Sequence, residues 1–281
     1  MLWLTPHVDA LIDLALTEDI GQGDVTSEVT VPAGTRGRAA LEARQAVVLC
    51  GRPVVDRILQ RFGPGSPTVE WHADDGDFVA AGQNLAHFEG SMRSLLVLER
   101  TILNFLQRMS GVATQTRRYV EAVAGTRTRI VDTRKTLPGW RTLDKYAVRT
   151  GGAFNHRGAL DGGVLIKDNH LAVGGGITAT VTRARAQAPH VLRIEVEVES
   201  LSGLTEAIAA GADIVLIDNF TPEQAREAVA LAAGRVLLEA SGGITLSTLR
   251  AFAEAGVDLI SVGALTHSVT AADLALEVVG A

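Results

Sequence analysis

The sequence predicts an α/β protein: an N-terminal α/β sandwich domain followed by an incomplete α/β barrel. Three observations carry that expectation. From residue 127 onward, short apolar strands alternate with helical segments, which is the rhythm of βα units and a parallel sheet. The first hundred or so residues keep a different rhythm, with strands joined by glycine turns and a single short helix between them. The composition, 47% apolar and 21% charged with 29 glycines among 281 residues, suits a soluble α/β chain long enough for two real cores.

In chain order, MLWLTPHVDALIDLALTEDI reads as an amphipathic helix, since Asp9 and Asp13 interrupt its apolar residues and no basic n-region marks a signal peptide. No run approaches the roughly 18 apolar residues of a membrane span. These features predict a cytoplasmic protein without a membrane partner. The acidic, glycine-punctuated EDIGQGDVTSE reads as a loop. GRAALEARQAVVLCG suggests strands and PVVDRILQRF a helix. Cys50 sits in the apolar run AVVLCG and, as the one cysteine, reads as buried filler.

PTVEWHADDGDFVAAGQNLAHFEGS reads as strand, Asp-Gly turn and strand, similar to half of a biotinyl or lipoyl carrier domain. Such a carrier needs a lysine at the hairpin tip, and none occurs before Lys135, so the carrier role is excluded and only a small sandwich fold remains. Residues 91–124 predict a long helix with Leu95, Leu98, Ile102, Phe105 and Leu106 on one face and a break at Ser110-Gly111. Arg100 lies among these apolar neighbours, and periodicity alone leaves it open between a surface charge and something more specific.

The barrel strands are TRIVDTR, GGVLIKD, LRIEVEVES, DIVLIDN, RVLLEASGG and DLISVGALTHS. An open doubly wound sheet would also fit, but no G-x-G-x-x-G follows a first strand, which favours a TIM-like barrel left incomplete at six strands. In such barrels chemistry sits at the C-terminal strand ends, and phosphate binds at the loops after the last two strands. Here every strand end is polar: Asp132/Arg134/Lys135, Lys167/Asp168, Glu195/Glu197/Glu199, Asp218/Asn219, Glu239/Ser241 and Gly263. Ser241-Gly242-Gly243 and Gly263-Ala264 offer backbone N–H groups suited to a phosphate.

Charge points to the same end. All three lysines fall in 132–170, a stretch of net charge +3 in a chain of net −6, with a pI that argues against nucleic acid as a partner. Like charges about 4 Å apart repel by roughly 4 kcal/mol at an effective dielectric near 20, so cations converging on a barrel mouth call for a strongly anionic ligand. Lys145 and Arg149, at i and i+4 of a helix, read as solvated charges. IEVEVES alternates, placing Glu195, Glu197 and Glu199 on one inward face. Those acids need cations, either Mg²⁺ held with a substrate phosphate or the basic stretch itself.

DTRKTLPGWR, KYAVRTGG, NHR, IKDNH, EVEVES, LIDNF, LEASGGI and VGALTHS, with ERTILN and SGVAT upstream, resemble the quinolinate phosphoribosyltransferase family, in order from about residue 18 to 270. The resemblance implies a sandwich domain over 1–108, joined by 270–281, and a barrel over 109–269. It implies a homodimer, or a larger assembly of dimers, with shared active sites. Quinolinate and phosphoribosyl pyrophosphate are the implied substrates and Mg²⁺ the implied cofactor.

By position, Arg134, His156, Arg157 and Lys167 match binders of the quinolinate carboxylates, and Arg100 matches an arginine lent by the partner subunit. Lys135 matches a lysine at the junction of the substrates. Glu197 and Asp218 match acids around the ribose and Mg²⁺. Ser241, Gly242, Gly243, Gly263, Ala264 and His267 match the 5-phosphate cradle. The run Gly158-Ala159-Leu160-Asp161-Gly162 departs from the family, its aspartate arriving one position early, and Trp140 stands where a smaller apolar residue is usual. Alternatives are a related phosphoribosyltransferase acting on another acid, including the molybdenum-transport-associated homologue, a Schiff-base lyase using Lys167, and a non-catalytic anion binder.

Overall fold

The computed structural model describes residues 4–280, so the first three residues of the N-terminal segment lie outside the described part. Two compact units emerge: residues 1–117 with 137–152 and 266–281, and residues 118–136 with 153–265.

The first unit opens with α1 (Pro6–Ile20), capped by the Thr5 side chain and started by Pro6, and α2 (Val25–Thr30), capped by Asp24. The stretch expected to be a loop thus contains a short helix. Its cause is Asp24, whose carboxylate takes the Ser27 N–H at 3.0 Å and the Ser27 hydroxyl. Then follow β1 (Arg36–Ala43), β2 (Val47–Val48), α3 (Arg52–Phe62), β3 (Thr68–Trp71), β4 (Phe78–Val79), β5 (Asn84–Ser91) and α4 (Met92–Ala122). Val8, Ile12 and Leu16 give α1 its buried face. The two acids that interrupt its apolar residues are ion-pair partners of α3: Asp9 takes a bidentate grip from Arg57, and Asp13 pairs with Arg61.

The expected break at Ser110-Gly111 does not occur, and α4 runs through it. Both residues serve packing instead. The Ser110 hydroxyl accepts the Cys50 N–H at 3.0 Å, and a Cβ on Gly111 would collide with the Thr270 carbonyl and press on Ala271. Gly111→Ala is therefore expected to lower stability by about 2 kcal/mol in denaturant titration, an overpacking effect. An unshifted midpoint would remove the packing explanation. Cys50 is wholly buried, and burial pushes its thiol well above the ordinary range, so it is inert filler as expected.

The second unit supplies a parallel sheet: β6 (Arg129–Val131), then, past α5 (Arg141–Thr150), β7 (Val164–Ile166), α6 (Asp168–Gly174), α7 (Gly176–Gln187), β8 (Ile194–Val198), α8 (Leu201–Ala209), β9 (Ile214–Asp218), α9 (Pro222–Ala232), β10 (Leu237–Ser241), α10 (Leu246–Ala255) and β11 (Leu259–Ser261). The short α11 (Ala264–His267) and β12 (Leu274–Gly280) complete the chain. All six expected barrel strands form, in the order β6-β11-β10-β9-β8-β7. Strands β6 and β7, neighbours in sequence, are the two edges and do not pair with each other, and Phe154, on the segment between them, bridges to Val131 of β6. That seam is what leaves the barrel incomplete. In the first unit β12-β1-β5-β3 form an antiparallel sheet, into which the C-terminal strand is drawn by pairing with β1.

Residues 137–152, expected in the barrel, cluster with the first unit. The buried Asp144 carboxylate receives both ends of the Arg108 guanidinium at 2.9 and 3.1 Å, and the Tyr146 hydroxyl donates to Asp75 at 2.7 Å. Lys145, expected to be a solvated charge, is 9% exposed, whereas Arg149 is exposed as expected. Trp140 stacks on Phe105 with ring centroids 4.8 Å apart, and the Arg108 guanidinium lies over the Trp140 ring, 5.4 Å from its centroid. The larger residue at 140 is thus accommodated as a packing element of that unit.

Candidate active site

Strand register explains why the acids and cations meet. Lys167 continues the β7 row that pairs Leu165 with Glu195, so Lys167 and Glu197 stand level on neighbouring strands with side chains on the same face. They form a direct ion pair. The row continues through Leu216 to Glu239, since Glu197 pairs with Leu216 and Leu216 with Glu239. One row further along, Asp218 pairs with Ser241. Of the three glutamates expected inward, Glu195 is buried and Glu197 nearly so, but Glu199 lies past the strand end and is exposed. Their partners come from the protein: the Lys167 ammonium for Glu197, and the His156 ring, 3.0 Å away, for Glu195.

A cavity of about 190 Å³ at this end is lined by Arg134, Lys135, His156, Arg157, Lys167, Glu239 and Ser241, with Thr133, Leu165, Leu216 and Ser261. Arg134, Lys135, His156, Arg157 and Lys167 are therefore brought together as expected. Burial and the neighbouring Arg134 guanidinium lower the pKa of Arg157, while Glu195 opposes them. Arg157 is anchored by an Nη1–H bond of 2.9 Å to the Gly163 carbonyl, and its Nε lacks a partner. This anchor spans the divergent loop 158–162. There Gly162 N–H turns back to the Ala159 carbonyl at 3.4 Å, and Asp161 faces solvent. The shifted aspartate thus changes an exposed turn and leaves Arg157 in the cavity.

Asp218 accepts from the Asn219 side-chain amide at 2.8 Å, and Asn219 adopts a left-handed φ of 58°. That conformation brings Asn219 against Gly242, whose φ is 93° and where any Cβ would strike the Asn219 backbone and amide. Gly242 is therefore required on two counts, conformation and close approach. Gly243 also has positive φ, and Gly263 and Ala264 lead from β11 into α11. His267 closes α11 with its ring bonded to Ser268 at 2.6 Å, and it falls in the first unit. Arg100 is also in the first unit, on α4, more than half exposed and 4.0 Å from Glu99.

The sequence marks Asp132, Glu195 and Glu239 only as polar strand-end acids and gives none of them an individual role. Asp132, fully buried at the end of β6, accepts the His156 N–H at 2.8 Å and the Asn155 amide at 2.6 Å, and so fixes the segment that carries His156 and Arg157. Glu195 and Glu239 form a buried layer with His156, in which one oxygen of each acid lacks a hydrogen-bond partner. Burial above all, with Glu195 adding to it and His156 opposing it, raises the Glu239 pKa to about 7. The signal was present as a glutamate inside the apolar run LLEAS.

That shift has a sign. Glu239 holds its proton more tightly folded than unfolded, so its stabilising contribution is complete below about 4.5 and lost as pH rises through about 7. Relative to Glu239→Gln, the wild-type protein is expected to lose on the order of 3 kcal/mol across that window, since one pKa unit is worth about 1.4 kcal/mol. Urea titrations at pH 5 and pH 8 measure this. Parallel pH dependence in the two proteins would contradict the buried-acid assignment.

Fold and site together define an enzyme of the α/β-barrel type whose mouth is built for a polyanionic substrate. The quinolinate phosphoribosyl transferase N-terminal domain model matches residues 24–110, and the corresponding C-terminal domain model matches 112–277. The chain belongs to the quinolinate phosphoribosyltransferase family. It is 44% identical to a nicotinate-nucleotide pyrophosphorylase [carboxylating] of Mycobacterium leprae, over 94% of each chain. It is 41% identical to a probable enzyme of the same name from Bacillus subtilis, over 95% of this chain and 92% of that one. The solved structure of the nicotinate-nucleotide pyrophosphorylase from Francisella tularensis superposes with a TM-score of 0.92 at 40% identity, over 98% of this chain and 97% of that one.

Proposed function

We propose that the protein transfers the phosphoribosyl group of phosphoribosyl pyrophosphate to the ring nitrogen of quinolinate, with loss of the 2-carboxylate, giving nicotinate mononucleotide, pyrophosphate and CO₂ for NAD biosynthesis. The carrying observation is the convergence of two arginines, two lysines and His156 on one cavity of an otherwise acidic chain. Both substrates are polyanions. Planar guanidiniums of Arg134 and Arg157 grip carboxylates bidentately, and Lys167 adds a point charge; together they hold the pyridine nitrogen toward C1 of the ribose. Lys135 sits where the two substrates meet and offers its ammonium to the departing pyrophosphate. The N–C1 bond forms as the C1–O bond to pyrophosphate breaks. The ring nitrogen is then cationic and stabilises the electron pair left on C2 as the 2-carboxylate departs as CO₂, and C2 uses that pair to take a proton from solvent. Ser241, Gly242, Gly243, Gly263 and Ala264 present backbone N–H groups to the 5-phosphate.

Glu197 and Asp218 fit Mg²⁺, which takes one or two carboxylates and completes its shell with substrate oxygens and water. Each retains an oxygen outside its bond to Lys167 or Asn219. When bound, the ion neutralises the pyrophosphate. The reading extends to a cytoplasmic homodimer in which Arg100 reaches the partner's site, since its exposed place on α4 leaves its guanidinium open to another subunit. Mixing inactive Arg100→Ala and Lys167→Ala subunits tests this: restored activity is expected, and none would overturn the shared site. Incubation with quinolinate, phosphoribosyl pyrophosphate and Mg²⁺ tests the reaction, and absence of nicotinate mononucleotide would overturn it. Cell fractionation that placed the protein outside the cytoplasm would overturn the location.

A further inference from the structure

The antiparallel sheet of the first unit carries a cluster that barrel chemistry does not use. In β3 the side chains alternate, so Glu70 faces away from the core while Trp71 turns inward to meet Phe88 edge-on at 6.3 Å. Glu70 pairs directly with His87 of β5. His72, two residues beyond Glu70, extends the ladder through its N–H to the Leu85 carbonyl at 2.8 Å and so returns to the outer face. The three side chains meet there. His72 Nε2 and His87 Nδ1 are 2.7 Å apart, and one ligand atom from each residue of the trio lies within 4.8 Å of the others.

Two imidazole nitrogens at that distance share one proton between two lone pairs, an arrangement a dication replaces. A tetrahedral site with Zn–N of about 2.0–2.1 Å needs donors roughly 3.3 Å apart, which small rotations of two edge-on rings provide. Glu70 is engaged by Arg38 through Oε2 only, at 3.3 Å, and both side chains are so exposed that this pair is worth little.

We propose that Glu70, His72 and His87 form a surface site for a borderline transition-metal dication, Zn²⁺ foremost, that clasps the edge strand β3 to β5. Two imidazoles and one carboxylate select Zn²⁺, Co²⁺, Ni²⁺ or Cu²⁺ over Mg²⁺ and Ca²⁺, which prefer all-oxygen shells. Three protein ligands leave a fourth position open to water. The site is separate from the reaction proposed above and stands or falls independently of it.

Isothermal titration of the full chain, made without a polyhistidine tag and kept in excess Mg²⁺, measures Zn²⁺ directly, and Co²⁺ absorption reports the nitrogen ligands. One saturable equivalent of Zn²⁺ is expected, with Tm rising with Zn²⁺ concentration. His72→Ala, His87→Ala and Glu70→Gln should each weaken binding at least about tenfold, the scale on which losing even an outer partner weakens a metal site. All three positions are on the outer face, and circular dichroism confirms that the variants fold. His156, Glu195 and Glu239 remain intact in the His72→Ala/His87→Ala double variant, so Zn²⁺ binding that survives there belongs to the barrel and overturns the proposal. Absence of saturable binding to the wild-type chain overturns it equally.

Discussion

Lys167→Ala is expected to weaken quinolinate binding by about a hundredfold or more while leaving phosphoribosyl pyrophosphate affinity within a few-fold of wild type. Two effects add. The variant loses the ammonium that faces the ligand across the cavity, and it strands Glu197, whose carboxylate then repels the incoming dianion. Quinolinate dissociation constants by calorimetry or fluorescence measure it. Unchanged quinolinate affinity would remove Lys167 from the carboxylate-binding set and would reopen the Schiff-base reading, which borohydride trapping with a carbonyl substrate tests.

Asp132→Ala should be the most damaging single change in the positioning shell. The Asp132 carboxylate is fully buried and holds the Asn155 amide and the His156 N–H at hydrogen-bond distance. Removing it takes the charged acceptor from two part-buried donors, and a hydrogen bond to a charged group is worth roughly 1.5–3 kcal/mol, so a stability loss of about 3 kcal/mol is expected. It also frees the segment bearing His156 and Arg157, and kcat/KM should fall by about a hundredfold even at temperatures where the protein stays folded, since small misplacements are costly when positioning does the catalysis. Asp132→Asn keeps one acceptor and should recover part of both losses. A variant that loses stability but keeps kcat/KM would confine Asp132 to a structural role.

Strand alternation and polar strand ends made the barrel legible, because each strand runs apolar until it reaches the mouth, as in IVLIDN and VLLEAS. The cationic members of the site were legible for the same reason: charge concentrated in 132–170 had to face an anion. What failed was anything decided by tertiary partners. Gly111 read as a helix break, yet it lies inside α4 because another segment passes against it. Lys145 read as a solvated charge and is buried, because its helix packs with the first unit rather than lying on a barrel surface. Glu239 was visible only as a strand-end acid, since burial, which gives it a pKa near neutrality, has no signature in local sequence. Glu199 failed oppositely: the alternation that turned Glu195 and Glu197 inward ended one residue before it, at Val198.

In the function proposed above, the cationic barrel mouth couples phosphoribosyl transfer to loss of the 2-carboxylate. Turnover of quinolinate labelled at that carboxylate, followed for CO₂ and pyrophosphate together with nicotinate offered in parallel, tests it most directly. One labelled CO₂ per pyrophosphate, with nicotinate inert, is the expected result, because the mouth is arranged for two carboxylates. Pyrophosphate release without CO₂, or equal turnover of nicotinate, would contradict it.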